Sequence, residues 1–284
     1  MYTQEITRKH RSAILLLIDR SASMQEIVCM GKHNVSKAEA VTIIASAILT
    51  ELIDRCHRIE GLRNYYDVAV IGYGNDTVEM LLGEEDFISI ERLARRECTS
   101  HRISYEVELP NGESRIVEHN TSLWFEPKAE GNTPMYEALL KVLTLVERWC
   151  LHEQNRDSFP PIVVNITDGE MSDCNPSELL DISTIIRRQA TNDGNTLLLN
   201  IHIEPSVKTK ALIFPTKEEL QGASAATRLF AEASSVMPEL FNQDIIRLKG
   251  EGYKPPFIGM GYNANILELL SIINIGSRSG PLLQ

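Results

Sequence analysis

Asp19, Ser21 and Ser23 stand at alternate positions directly after an apolar run, and Asp168 follows a second such run far along the chain. On an extended backbone alternate side chains point to one side, so the carboxylate and the two hydroxyls of the first segment share a face. Oxygen donors of this kind suit a hard divalent cation, Mg²⁺ or Mn²⁺, better than a thiophilic one. Open α/β sheets bind their ligands beyond the carboxyl ends of the strands, so the loops starting at Asp19 and at Thr167 are expected to share one rim. A plainer reading of Asp19, Ser21 and Ser23 is a turn and helix-cap cluster, and Asp168-Gly169 alone reads as a turn.

The elements that must position these residues are written in the hydrophobic pattern. Ala13 to Ile18 is continuously apolar, as a strand covered on both faces must be. Ser36 and Glu39 form an S-x-x-E capping box ahead of an amphipathic helix carrying Val41, Ile44, Ala45, Ile48, Leu49, Leu52 and Cys56 on one face. Tyr65 to Tyr73 and Thr77 to Leu82 read as a hairpin turned at Gly74-Asn75, at the edge of the sheet. Pro110-Asn111-Gly112 signals a second hairpin between Ile103–Leu109 and Arg115–Glu118, an antiparallel insertion spanning about residues 95–122. After a short strand at Ser122–Phe125, the loop Lys128–Pro134 leads into a helix with Ala138, Leu139, Val142, Leu143, Val146 and Trp149 on its apolar face and Pro134 in its first turn. Ile162–Ile166 is a further strand, Pro176 opens a helix to about Ala190, and Thr196–Ile203 follows the turn at Asp193-Gly194. Helices are expected near Ala225–Ala233, Pro238–Lys249 and Asn265–Asn274. Alternation of strand and helix throughout predicts an α/β, Rossmann-like three-layer sandwich with a mostly parallel sheet, in one domain covering residues 1–284.

Asp19-Arg-Ser-Ala-Ser23 resembles the D-x-S-x-S element of the metal-ion-dependent adhesion site of von Willebrand factor type A domains. Gly131-Asn-Thr133-Pro resembles that family's threonine loop, and Ile166-Thr-Asp168-Gly-Glu170 its aspartate loop. All three elements appear in the family's order. Trp124-Phe-Glu-Pro, Gly131-Asn-Thr-Pro-Met and Val164-Asn-Ile-Thr-Asp-Gly-Glu further resemble its stand-alone cytosolic bacterial members, some of which are encoded beside protein kinases, phosphatases or ATPases. One departure is Ala22, where the family very often has glycine. The resemblance implies that Ser21, Ser23 and Thr133 bind a Mg²⁺ or Mn²⁺ directly while Asp19 and Asp168 act largely through bound water. It implies a metal-dependent protein-interaction module, not an enzyme: a scaffold or regulator in a bacterial signalling or stress-response system, whose protein partner supplies an Asp or Glu carboxylate to the metal. Met24 and Glu170 are candidates to rim the partner surface.

The rival from another class is a Mg²⁺-dependent phosphoester hydrolase built on Asp19 and Asp168. Against it, Ser21 stands where a D-x-D acid-base aspartate would be, and the sequence shows no Lys or His poised to manage protons. Other chemistries lack their motifs: there is no G-x-x-x-x-G-K-[ST] and no H-E-x-x-H, and Gly72-Tyr-Gly74 and Gly259-Met-Gly261 lack a third glycine in register. A net charge of −11 speaks against nucleic acid as a partner, because a phosphate-tracking surface needs a basic face. Five scattered cysteines without a CxxC pair give no disulfide framework, and the apolar run Ala13–Ile18 is too short for a membrane span or a signal-peptide core. A cytoplasmic location is therefore expected.

Overall fold

The computed structural model describes residues 2–30, 33–108, 114–169, 171–203 and 211–263 of the chain. In chain order the first elements are β1 (Ser12–Asp19), β2 (Ile27–Met30), β3 (His33–Ser36), α1 (Lys37–Cys56), β4 (His57–Arg58), β5 (Gly61–Leu62), β6 (Tyr66–Gly74), β7 (Thr77–Met80), β8 (Ile88–Ser89) and α2 (Ile90–Leu93). There follow β9 (Thr99–Glu108), β10 (Ser114–Leu123), α3 (Met135–Leu151), β11 (Ile162–Thr167) and α4 (Pro176–Arg188). The last are β12 (Leu197–His202), β13 (Leu212–Ile213), α5 (Ala225–Ala233), α6 (Asn242–Lys249) and β14 (Met260–Tyr262).

Among the described residues the main sheet has eight strands in the order β13-β14-β12-β11-β1-β6-β7, with β8 also paired to β6. β14, β12, β11, β1 and β6 run parallel, and the antiparallel strands β13, β7 and β8 lie at the margins. Every residue of β1 is buried, which is why its sequence is apolar without alternation. One face of the sheet, with Ile14, Leu16 and Ile18, packs against Val41, Ile44 and Ile48 of α1 and Ile245 of α6. The other, with Leu15, Leu17 and Ile71, packs against Leu139 and Val142 of α3, Leu179 of α4 and Phe230 of α5. This mixed sheet between two helical layers is the Rossmann-like three-layer sandwich that the sequence pattern predicts.

Local signals explain the element boundaries. The capping box of α1 is formed in both directions: Ser36 Oγ accepts from the Glu39 amide, and the Glu39 carboxylate accepts from the Ser36 amide. Asn175 and Glu178 do the same for α4. Asn75 and Asp76 both take positive φ between β6 and β7, the geometry of a tight hairpin turn. β9 and β10 pair with each other in a sheet of their own, in register from Thr99↔Leu123 to Glu108↔Ser114.

Several expected elements take a different form in the structure. Ser122 and Leu123 end β10 instead of starting a separate strand, and Trp124-Phe125 follow as a bend. Pro134 is the residue before α3, not inside its first turn, with φ −78° and ψ 63°. The helix expected over Pro238–Lys249 is a short 3-10 turn, Glu239–Phe241, running into α6. The turn at Asn111 and the helix expected at Asn265–Asn274 lie outside the described residues. Among the described residues no helix is long and apolar enough to cross a membrane.

Candidate functional site at the carboxyl rim

Register brings the polar residues together. Asp19 pairs with Tyr73 of β6, Ile18 with Ile166 of β11, and Thr167 with His202 of β12, so the carboxyl ends of four neighbouring strands finish at one level. From this rim Thr167 Oγ1 donates to Asp19 Oδ2 at 2.7 Å. The opposite oxygen, Oδ1, accepts from the Ser21 hydroxyl at 2.6 Å and the Ser21 amide at 3.0 Å. Ser21 Oγ also lies 3.0 Å from Ser23 Oγ, and the backbone here is not the extended one expected: Ser21 caps the 3-10 turn Ala22–Gln25 that contains Ser23. Burial pushes the Asp19 carboxyl up from 3.8 to about 6, against the hydrogen bonds from Ser21 and Thr167; the nearby charge of Asp168 adds to the rise.

Three segments interlock through their backbones. The Ala22 amide donates to the Gly131 carbonyl at 2.9 Å, the Glu130 amide to the Arg20 carbonyl at 2.8 Å, and the Asn75 amide to the Glu130 carbonyl at 2.9 Å. Such close approach needs glycine at two points. A Cβ on Gly74 would lie 2.4 Å from the Arg20 carbonyl oxygen, and one on Gly131, where φ is +63°, 2.5 Å from Asn75 Cα. Thr133 is buried in this arrangement: its amide donates to Ser172 Oγ at 2.8 Å and its carbonyl accepts from Met135 and Ser172.

Asp168 meets a different neighbour. Lys37, the first residue of α1, places its Nζ 3.0 Å from Asp168 Oδ2 and 2.5 Å from Glu26 Oε2. The side chains of Lys37 and Asp168 are 4% and 2% exposed, so this ion pair is internal, whereas Glu26 reaches solvent. Burial acts to lower the Lys37 ammonium's pKa, but its hydrogen bonds to Glu26 and Asp168 outweigh this and raise it. Asp168 Oδ1 is buried and has no hydrogen-bond partner among the described residues. The Asp168 carbonyl oxygen lies 2.8 Å from His202 Nε2.

The metal reading is overturned. Among the described residues, no group of three or more His, Cys, Asp or Glu side chains is placed to hold a metal ion. Both expected carboxylates are otherwise engaged, Asp19 by hydroxyls and an amide, and Asp168 by the ammonium of Lys37, which would repel a dication beside it. The residues therefore do not fit Mg²⁺ or Mn²⁺. With the ion go the metal-dependent interaction role, the partner carboxylate completing its coordination, the link to a kinase, phosphatase or ATPase, and the Mg²⁺-dependent hydrolase. Met24 is also corrected: it is fully buried, turned into the core by the 3-10 turn Ala22–Gln25, and does not line a partner surface. Glu170 lies outside the described residues.

Sequence reading missed the groups that complete the rim. Lys37 follows the capping Ser36 with no local sign of its partner, which is 131 positions away. Tyr73 and Asn165 looked like strand residues. Tyr73 Oη donates to Asn165 Oδ1 at 2.9 Å, Asn165 Nδ2 to Asn200 Oδ1 at 3.1 Å, and Asn200 Nδ2 to Ser234 Oγ at 3.0 Å. Polar residues in strands otherwise read as fully buried were the available signal, because buried amides require such partners.

No family model and no curated protein matches the sequence. Among solved structures, the chain shows distant similarity to a von Willebrand factor type A protein from Catenulispora acidiphila, with 12% identity and a TM-score of 0.40. That match covers 69% of this chain and 34% of the other, so the chain spans about a third of that protein's length. An aerotolerance-related membrane protein from Bacteroides fragilis matches at 12% identity and a TM-score of 0.35, covering 78% of this chain and 88% of its own. An uncharacterized membrane spanning protein from Vibrio fischeri matches at 14% identity and a TM-score of 0.27, covering 68% and 71%.

Proposed function

We propose that the chain is a non-enzymatic binding module that recognises a basic segment of a protein partner at this rim, by direct hydrogen bonds and charge without an intervening ion. The observation that carries the reading is the solvent-facing acidic fringe of the interlocked loops, which lies outside the internal Lys37–Asp168 pair. Exposed carboxylates pair most strongly with an ammonium or guanidinium. Glu26, Asp76, Glu130 and Asp173 are exposed around the interlocked loops, and the net charge of −11 would steer a cationic partner toward them.

Support for a non-enzymatic role comes from the engagement of the groups that could move protons. Asp19 is held by hydrogen bonds, and burial pushes the thiols of Cys56 and Cys174 up to about 11 and that of Cys150 to about 12, far from nucleophilic. The order of the three loop motifs favours assignment to the stand-alone von Willebrand factor type A class. Free thiols at Cys56, Cys98, Cys150 and Cys174 favour a reducing compartment such as the cytoplasm.

Fluorescence anisotropy with a labelled lysine- and arginine-rich peptide, against a glutamate-rich control of equal length, tests the proposal. The basic peptide should bind, binding should weaken with salt but not with chelator, and the double variant D76N/E130Q should lose about three- to tenfold in affinity. Equal binding of the two peptides, or affinity unmoved by the double variant, would overturn it.

A further inference from the structure

Lys37 occupies a position that opposes its charge twice over. Its ammonium is nearly excluded from water, and it belongs to the first turn of α1, where the helix dipole favours anions. Two carboxylates from separate loops compensate: Asp168 follows β11, and Glu26 precedes β2. Glu26 is fixed further by its carbonyl, which accepts from the Lys37 amide at 2.8 Å. The ammonium thus joins the Asp168 loop to the loop that carries Ser21 and Ser23.

We infer that Lys37 is the rim's own cation: a tethered positive charge that holds the two loops together in the place beside Asp168 that a divalent ion would need, making the site independent of Mg²⁺ and Mn²⁺. Lys37 is a positioning residue here, since it acts through the two carboxylates it pairs with. The inference does not depend on the basic-peptide reading, because it concerns only what neutralises Asp168. A rim built this way keeps its shape when divalent ions are removed. A change at residue 37 alone would transfer the demand for positive charge to the solution.

Electron paramagnetic resonance of free Mn²⁺, titrated with the full chain, tests this directly. Wild type and K37R should leave the free-ion signal unchanged into the millimolar range, whereas K37M should take up Mn²⁺ at least about tenfold more tightly. Thermal melting of wild type should be the same with Mg²⁺ and with chelator. A purely structural lysine would lower the melting temperature of K37M without any gain of Mn²⁺. Uptake of Mn²⁺ by wild type, or a folded K37M that gains none, would overturn the inference. If K37M does not fold, the wild-type and K37R titrations decide: silence in both supports it, and binding in either overturns it.

Discussion

Asp19 and Asp168 are buried carboxylates at the ends of adjacent strands, yet hydroxyls and an amide hold the first while an ammonium holds the second. Neutral donors only partly offset the loss of water, so Asp19 keeps a raised pKa and an appreciable hold on a proton. A full opposite charge at 3.0 Å acts more strongly, and at Asp168 it takes the place of any external counter-ion. The contrast shows that a recognisable arrangement of oxygen-bearing side chains does not define the ion it serves. What compensates each carboxylate comes from elsewhere in the fold.

The largest expected effect breaks the charged half of the comparison. Lys37→Met leaves Asp168 buried and unpaired and should cost about 3–5 kcal/mol in urea unfolding. Adding Asp168→Asn to that variant should recover part of the loss, since the stranded charge is removed; strictly additive costs would show that the pair is not coupled.

The next effect concerns the neutral half. Because the Asp19 carboxyl is raised from 3.8 to about 6, the folded chain holds that proton more tightly than the unfolded chain does. Its contribution to stability is therefore greatest at low pH and is lost as pH rises through that window. Asp19→Asn should remove this part of the pH dependence, amounting to about 3 kcal/mol at most. Urea midpoints measured across the window would test it, and an unchanged slope in the variant would place the proton elsewhere.

The smallest effect sharpens the contrast. Thr167→Val deletes a donor to Asp19 Oδ2 and an acceptor for the Gly169 amide, at a cost of about 1–2 kcal/mol. Losing a bond to the ionised form should move the Asp19 carboxyl still higher, as read by carbon-detected NMR titration. A downward shift would contradict the role given to Thr167.

Much of this molecule is legible in one dimension. The unbroken apolar runs at Ala13–Ile18 and Ile162–Ile166 require strands covered on both faces, and Ser36 with Glu39 marks the start of α1. Asp19, Ser21 and Ser23 do lie together, but through a 3-10 turn and not the extended backbone that their spacing suggests. These are local matters, fixed by side-chain periodicity and by hydrogen bonds within a few residues.

Burial and charge compensation are not local. Met24 stands between half-buried Ser23 and exposed Gln25, yet a 3-10 turn directs it into the core. Gly74, of no use as part of a nucleotide motif, is required by the approach of Arg20. Lys37 meets Asp168 only because the sheet register and the docking of α1 bring together residues 131 positions apart. The sequence by itself determined the α/β layering and the polar loops at the strand ends, since both follow from short-range pattern. Only the tertiary structure decided which charge each carboxylate faces, because electrostatic energy depends on distance through space and on exclusion of water, and neither can be read along the chain.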